Sequence, residues 1–158
     1  MIQKSSPNLI SILKSIADFE LATAELYRAC SQVWDLDKEF WVAMQQAELK
    51  HSKNINRMTD IVCSKPADFT PGRVFAPAAV QTSIAGIKGN VQRLLKKEIA
   101  RKNMLFIARD LEQSTLESNY GEIVKTNDIE YKNLINQILS ETAVHRDRLN
   151  KKIQEIAP

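Results

Sequence analysis

The sequence predicts an all-α domain: four long helices in two antiparallel hairpins, joined by a long crossover that contains a short connecting helix. Three observations carry this. Apolar residues recur three and four positions apart from Leu9 to Cys30 and again from Trp41 to Val62, the spacing of one helix face turned toward a core. Only 4 Gly and 5 Pro interrupt 158 residues, so long helices go largely unbroken. No stretch of useful length alternates apolar and polar residues as a half-buried strand does. The length suits one domain, residues 1–158, with a core of its own.

Each element has its own signal. Helix 1 opens at Ser6-Pro7, where serine suits the N-cap and proline the first helical position, and runs to about Ser31. Asp35 or Asp37 caps helix 2, which fades near Cys63, and so short a link makes the pair an antiparallel hairpin. Pro66, Pro71, Gly72 and Pro77 forbid a continuous helix over residues 64–77, which form the crossover. Ala78 to Lys97 is helical in composition but holds Gly86 and Gly89, so a short connecting helix that breaks or bends is expected. Helix 3 then spans Lys97 to Val124 with a less regular seam. Asn127 or Asp128 caps helix 4, which passes through Ile135, Ile138, Thr142, His145 and Leu149 to the end.

The seams are interrupted by polar residues. Leu9, Leu13, Ile16, Glu20, Thr23, Tyr27 and Cys30 share a face, and so do Trp41, Met44, Glu48, His51, Ile55, Met58 and Val62. Glu20, Glu48 and His51 therefore point inward, where an unpartnered carboxylate is costly. A Glu-x-x-His pair on a core face projects an oxygen and a nitrogen toward a common point, and a metal ion is the candidate that stabilises it. The pattern repeats. Asp18, Glu20, Thr23 and Glu25 recur as Asp110, Glu112, Thr115 and Glu117, 92 residues on. Met44, Glu48, His51 and Ile55 face Ile138, Thr142, His145 and Leu149 at a separation of 94, so the chain reads as a duplicated helix pair. Taken singly, a core histidine is more often a hydrogen-bonded packing residue, and an inward Glu can pair with one of the 22 Lys and Arg. Jointly the case is stronger, because the sequence has only 2 histidines and both fall at equivalent repeat positions. Glu25 and Glu117 lie about 140° around the helix from Glu20 and Glu112 and should face outward.

Composition narrows the function classes. The net charge of +3 is too small to indicate a nucleic-acid partner, and the basic run between Lys88 and Arg109 reads as a solvated helix face. No segment approaches the length of a membrane span, so a cytoplasmic protein with no membrane partner is expected. Cys30 and Cys63 each sit at an apolar-facing position near a helix end, as core thiols do in a reducing compartment, and no Cys-x-x-Cys is present to hold a rubredoxin-type iron.

With these residues in place, the chain resembles the rubrerythrin-like branch of the ferritin-like di-iron carboxylate superfamily over almost its whole length. That resemblance implies a ferritin-like four-helix bundle holding two metal ions, usually iron, between a Glu from each of helices 1 and 3 and a Glu-x-x-His from each of helices 2 and 4. Residue by residue it implies the ligands Glu20, Glu48, His51, Glu112 and His145, with Tyr27 at a position where the family often has a tyrosine. One position departs: Thr142 stands where the helix 4 carboxylate belongs, and the nearest acid, Glu141, lies four residues before His145 and is the candidate substitute. The departure leaves open a weakened two-ion site, a one-ion site or an empty one, with iron favoured and manganese or zinc able to bind. The activity implied is oxidoreduction with peroxide or oxygen, with electrons from a separate electron-donor protein; a homodimer is expected because bundles with an uncovered apolar face generally pair. Metal storage without turnover, or a metal-free bundle acting as a binding or structural module, is the alternative. Tyr27 is either a hydrogen-bond donor behind the ligands or a packing residue with a buried hydroxyl.

Overall fold

The computed structural model describes residues 6–73, 76–114 and 119–156, with side chains from residue 8 onward. It is all-α apart from one small sheet. The helices are α1 (Ser6–Val33), α2 (Lys38–Ser64), α3 (Pro77–Leu95), α4 (Arg101–Glu112) and α5 (Ile129–Ile156). Strands β1 (Phe69–Pro71) and β2 (Val124–Thr126) pair antiparallel, with Phe69 opposite Thr126 and Pro71 opposite Val124. Helices α1 and α2 form the most extensive pair; α3 lies along α1, α4 packs on α5, and α5 closes against α2. Among the described residues no helix is long and apolar enough to cross a membrane.

The long seams fold as their spacing demands. Leu13, Ile16, Tyr27 and Cys30 of α1 and Trp41, Met44, Ile55, Met58 and Val62 of α2 are all buried. The Ser52 hydroxyl donates to the Ala17 carbonyl at 3.1 Å, drawing the two helices close just beside His51. Asp128 caps α5, its Oδ1 accepting the Tyr131 backbone N–H at 2.9 Å. The cap expected at Ser6 falls on a side chain outside the described residues.

Other elements differ from expectation. The connecting segment is one unbroken helix, α3, because Val80, Ile84, Ile87 and Leu94 pack as a single seam while Gly86 and Gly89 sit where a Cβ would meet nothing within 4 Å. Asp37 precedes α2 without capping it through its side chain. Its carboxylate is instead spent on Arg101, whose Nε and Nη2 donate at 2.5 and 2.7 Å, and on Lys152 Nζ at 3.1 Å. This buried clamp joins the α1–α2 turn to the start of α4 and the end of α5. Cys30 is buried as expected, but Cys63 is exposed.

The expected third helix, Lys97 to Val124, is the largest correction. Among the described residues of that stretch only Arg101–Glu112 is α-helical, and a 3-10 turn at Tyr120–Glu122 and β2 follow. Ser114, Asn119 and Gly121 favour turns over helix, which accounts for the early end. The strands escaped notice because three residues are too few to show an alternation. Where β1 ends, Gly72 donates its N–H to Ile123 at 2.8 Å, and a Cβ there would collide with the Glu122 carbonyl oxygen. Gly72→Ala is therefore expected to cost about 2 kcal/mol, the range of an overpacked site, seen as a lower midpoint in urea unfolding.

Between α3 and α4 the chain reverses at Lys97, whose φ of 60° is the only positive value at a non-glycine among the described residues. Its N–H bonds the Leu94 carbonyl and that of Glu98 bonds Arg93, both at 2.9 Å, which closes the helix end with a left-handed residue. Lysine pays a Cβ penalty there that glycine does not. Lys97→Gly should stabilise by about 1 kcal/mol, or raise the melting temperature by about 2–4 °C.

Candidate metal centre

Five polar side chains converge in the core from four helices. Glu20 comes from α1, Glu48 and His51 from α2, Glu112 from the last residue of α4 and His145 from α5, and all five are buried. Their donor atoms form two groups that could hold a metal ion. One is Glu20, Glu48 and His51, and the other is Glu48, Glu112 and His145, with the atoms of each group within 4.8 Å of one another. Glu48 belongs to both and divides its oxygens between them. Its Oε2 lies 3.4 Å from His51 Nδ1 and its Oε1 3.2 Å from His145 Nδ1. The outer carboxylates stand farther off, Glu20 Oε2 at 4.0 Å from His51 Nδ1 and Glu112 Oε1 at 3.7 Å from His145 Nδ1. The imidazoles stack with centroids 5.8 Å apart.

Several of the donor atoms face inward without a hydrogen bond. Both oxygens of Glu48, Glu112 Oε2 and Nδ1 of each histidine are buried and make no hydrogen bond among the described residues. Orphaned polar atoms are rare in folded cores, and five aimed at one another fit a cation between them. Without one, the cluster balances charge by protonation. Burial raises the Glu48 carboxyl, but Glu20, His145 and His51 around it more than offset this and hold it well below the usual range. Burial lowers His145, yet Glu112 and Glu48 push it up to about 9, and Glu48 and Glu141 likewise keep His51 above its ordinary value despite its burial. Burial and the neighbouring Glu48 charge raise Glu112.

Two tyrosines brace the outer carboxylates from across the core. Tyr27 of α1 donates its hydroxyl to Glu112 Oε1 at 2.8 Å, and Tyr120 donates to Glu20 Oε1 at 2.6 Å. Of the two roles open to Tyr27, the donor role holds, and its ring also packs on Trp41 with centroids 5.4 Å apart. Tyr120 escaped sequence reading. It lies 93 residues after Tyr27, between the separations of 92 and 94 that relate the other repeat positions, and that was the available signal. On a continuous helix it would have pointed about 80° away from Glu112. The end of α4 brings it back over the site.

Glu141 is not brought into either donor group. It stands on the opposite edge of the His51 ring, where Nε2–H donates to its Oε2 at 2.8 Å, while its Oε1 accepts from Lys50 Nζ at 3.0 Å and from Gln137 at 3.1 Å. Thr142, at the position matching Glu48, is buried on α5 and supplies no carboxylate. Glu25 faces solvent and pairs with Arg28 at 2.7 Å, as its angle predicted, whereas Glu117 lies outside the described residues. Three carboxylates and two imidazoles form a mixed oxygen and nitrogen donor set, suited to iron, manganese or zinc. No protein-family model, no curated protein and no solved structure matches this chain.

Proposed function

We propose that this chain is a ferritin-like protein of the rubrerythrin type that holds two iron ions and reduces peroxide or oxygen with electrons from a separate donor protein. The observation that supports it most is the convergence of five buried donors into two groups that share one carboxylate. Glu20 and His51 would hold one ion, Glu112 and His145 the other, and Glu48 would touch both. When bound, the pair of ions supplies the two electrons that reductive cleavage of an O–O bond requires. The chain's own residues do the rest. Tyr27 and Tyr120 each occupy one oxygen of an outer carboxylate and orient the group across the site. Trp41, Met44, Ile138 and Leu149, one to two turns from the donors along α2 and α5, are all buried and would make the surroundings of the ions largely apolar.

The test is elemental analysis of protein purified aerobically from iron-supplemented medium. About two irons per chain are expected from the two donor groups; one ion would mean that a single group binds, and none would leave a structural module. Thr142 favours a second reading, metal holding without turnover, because one bridging carboxylate is fewer than the family uses. Thr142→Glu separates them. It should tighten binding of the second ion by about tenfold or more, and lower the melting temperature of the metal-free protein by burying a fourth acid. Unchanged affinity would show that position 142 does not face the ions.

A further inference from the structure

Resting on the metal-centre reading, the geometry points to a division of labour between the two donor groups. We infer that Glu141 is a positioning residue that locks His51, so that the Glu20–Glu48–His51 group binds first and tightly, while the Glu48–Glu112–His145 group takes up and releases the second ion through the surface.

The two imidazoles are equivalent in the repeat but not in their surroundings. His51 is held from behind. Its Nε2–H donates to Glu141 Oε2 at 2.8 Å, which leaves Nδ1, facing Glu48 and Glu20, as the nitrogen that would bind a metal. A ring fixed in that tautomer loses little freedom on binding, and the carboxylate raises its basicity toward a metal. Glu141 is itself anchored, by Lys50 and Gln137 at its other oxygen. For His145, no hydrogen bond to Nε2 is present among the described residues, so no partner behind the ring fixes it in the tautomer that turns a lone pair toward Glu48 and Glu112. His145 itself lines a surface pocket of about 340 Å³, together with Gln46, Ala47, Lys50, Glu141, Val144 and Arg148, whereas the His51 ring lies behind Glu141 and does not line it. The pocket gives the second group a way to solvent between α2 and α5.

Two features therefore point the same way: an Nε2 hydrogen-bonded to an anchored carboxylate against one with no such bond, and a ring behind that carboxylate against a ring that lines the pocket. The donor sets themselves are matched, each with two carboxylates and one imidazole, so any difference in affinity has to come from these surroundings.

The experiment is an anaerobic titration of the full metal-free chain with Co(II), read by its visible ligand-field absorption and by calorimetry. The wild type should bind two ions in steps separated by at least tenfold, and a chelator should strip one ion fast and the other slowly. Glu141→Gln keeps the shape and loses the charge, and is expected to weaken the first step by about tenfold to a hundredfold while leaving the second within twofold. Lys50→Met, which removes only the outer partner, should leave both steps in order. His145→Asn should abolish the second step and spare the first. Melting curves of the metal-free variants report folding, and the chelator rates of the wild type test the claim without any variant. Two equal steps, a single release rate, equal weakening of both steps by Glu141→Gln, or loss of the first step in His145→Asn would overturn the inference while the metal centre stands. No cobalt uptake by the wild type would overturn the centre and the inference together.

Discussion

Replacing Glu48 by Gln should empty both donor groups at once. Each oxygen of this carboxylate serves a different histidine, 3.4 Å from His51 and 3.2 Å from His145, so its charge enters both groups. Removing a bracing residue beside a ligand already costs about 10–100-fold in affinity, and loss of a shared charged ligand should cost at least about 100-fold for each ion. The expected readout is metal content below one ion per chain after dialysis. Glu20→Gln is the comparison, because Glu20 belongs to one group alone and its loss should leave one ion in place. If Glu48→Gln retains two ions, the two groups do not share a ligand and the centre is wrongly drawn.

The second large effect is on the fold. Asp37 is buried, carries a bidentate bond from Arg101 and a third contact from Lys152, and ties three chain segments together. Asp37→Ala strips two cations of their partner. Breaking a buried pair costs about 3–5 kcal/mol, and because the Arg101 and Lys152 side chains reach water at 32% and 22% exposure the lower end applies. A loss of about 3 kcal/mol lowers the melting temperature by about 6–12 °C in a chain of this size. The pH dependence has a definite sign. Bonds from Arg101, and then from Lys152, outweigh burial and hold the Asp37 carboxyl below its ordinary value. A depressed carboxyl stabilises the fold above its unfolded pKa of about 3.9, and that stability is lost as pH falls through the folded value. Urea midpoints at pH 7 and pH 3 should therefore differ more in the wild type than in Asp37→Ala. Equal slopes would show that the clamp carries no charge-dependent stability.

How much of this was legible depends on the length over which a pattern runs. Helices α1, α2 and α5 each exceed seven turns, so their seams averaged out every exception and their positions held within a few residues. Glu20, Glu48 and His51 were legible for the opposite reason, since each is a polar residue on a face that is otherwise apolar, and Glu112 and His145 because they repeat Glu20 and His51 at separations of 92 and 94. Helix α4 was not legible at its end. Whether Gln113 and Ser114 continue a helix is decided by the need to bring Tyr120 to Glu20 and β2 to β1, contacts made by residues 100 and 55 positions away. Glu141 was recognised as near the site, because residues four apart share a helix face, but the ring nitrogen it meets depends on the spacing of α2 and α5, which no local pattern encodes. Asp37 was read as a cap for the same local reason, and two distant cations claimed it instead.

The crossed tyrosine bonds make the two halves of the chain depend on each other. In a two-fold assembly every contact between copies occurs twice, once in each direction. Tyr27 in the first half reaches Glu112 in the second, and Tyr120 in the second reaches Glu20 in the first, so the single chain has the reciprocal exchange that such an assembly makes automatically. Neither half can supply a complete set of braced acids by itself, and a fragment ending before α3 would leave Glu20 and Tyr27 without their counterparts unless a second fragment arrived to provide them.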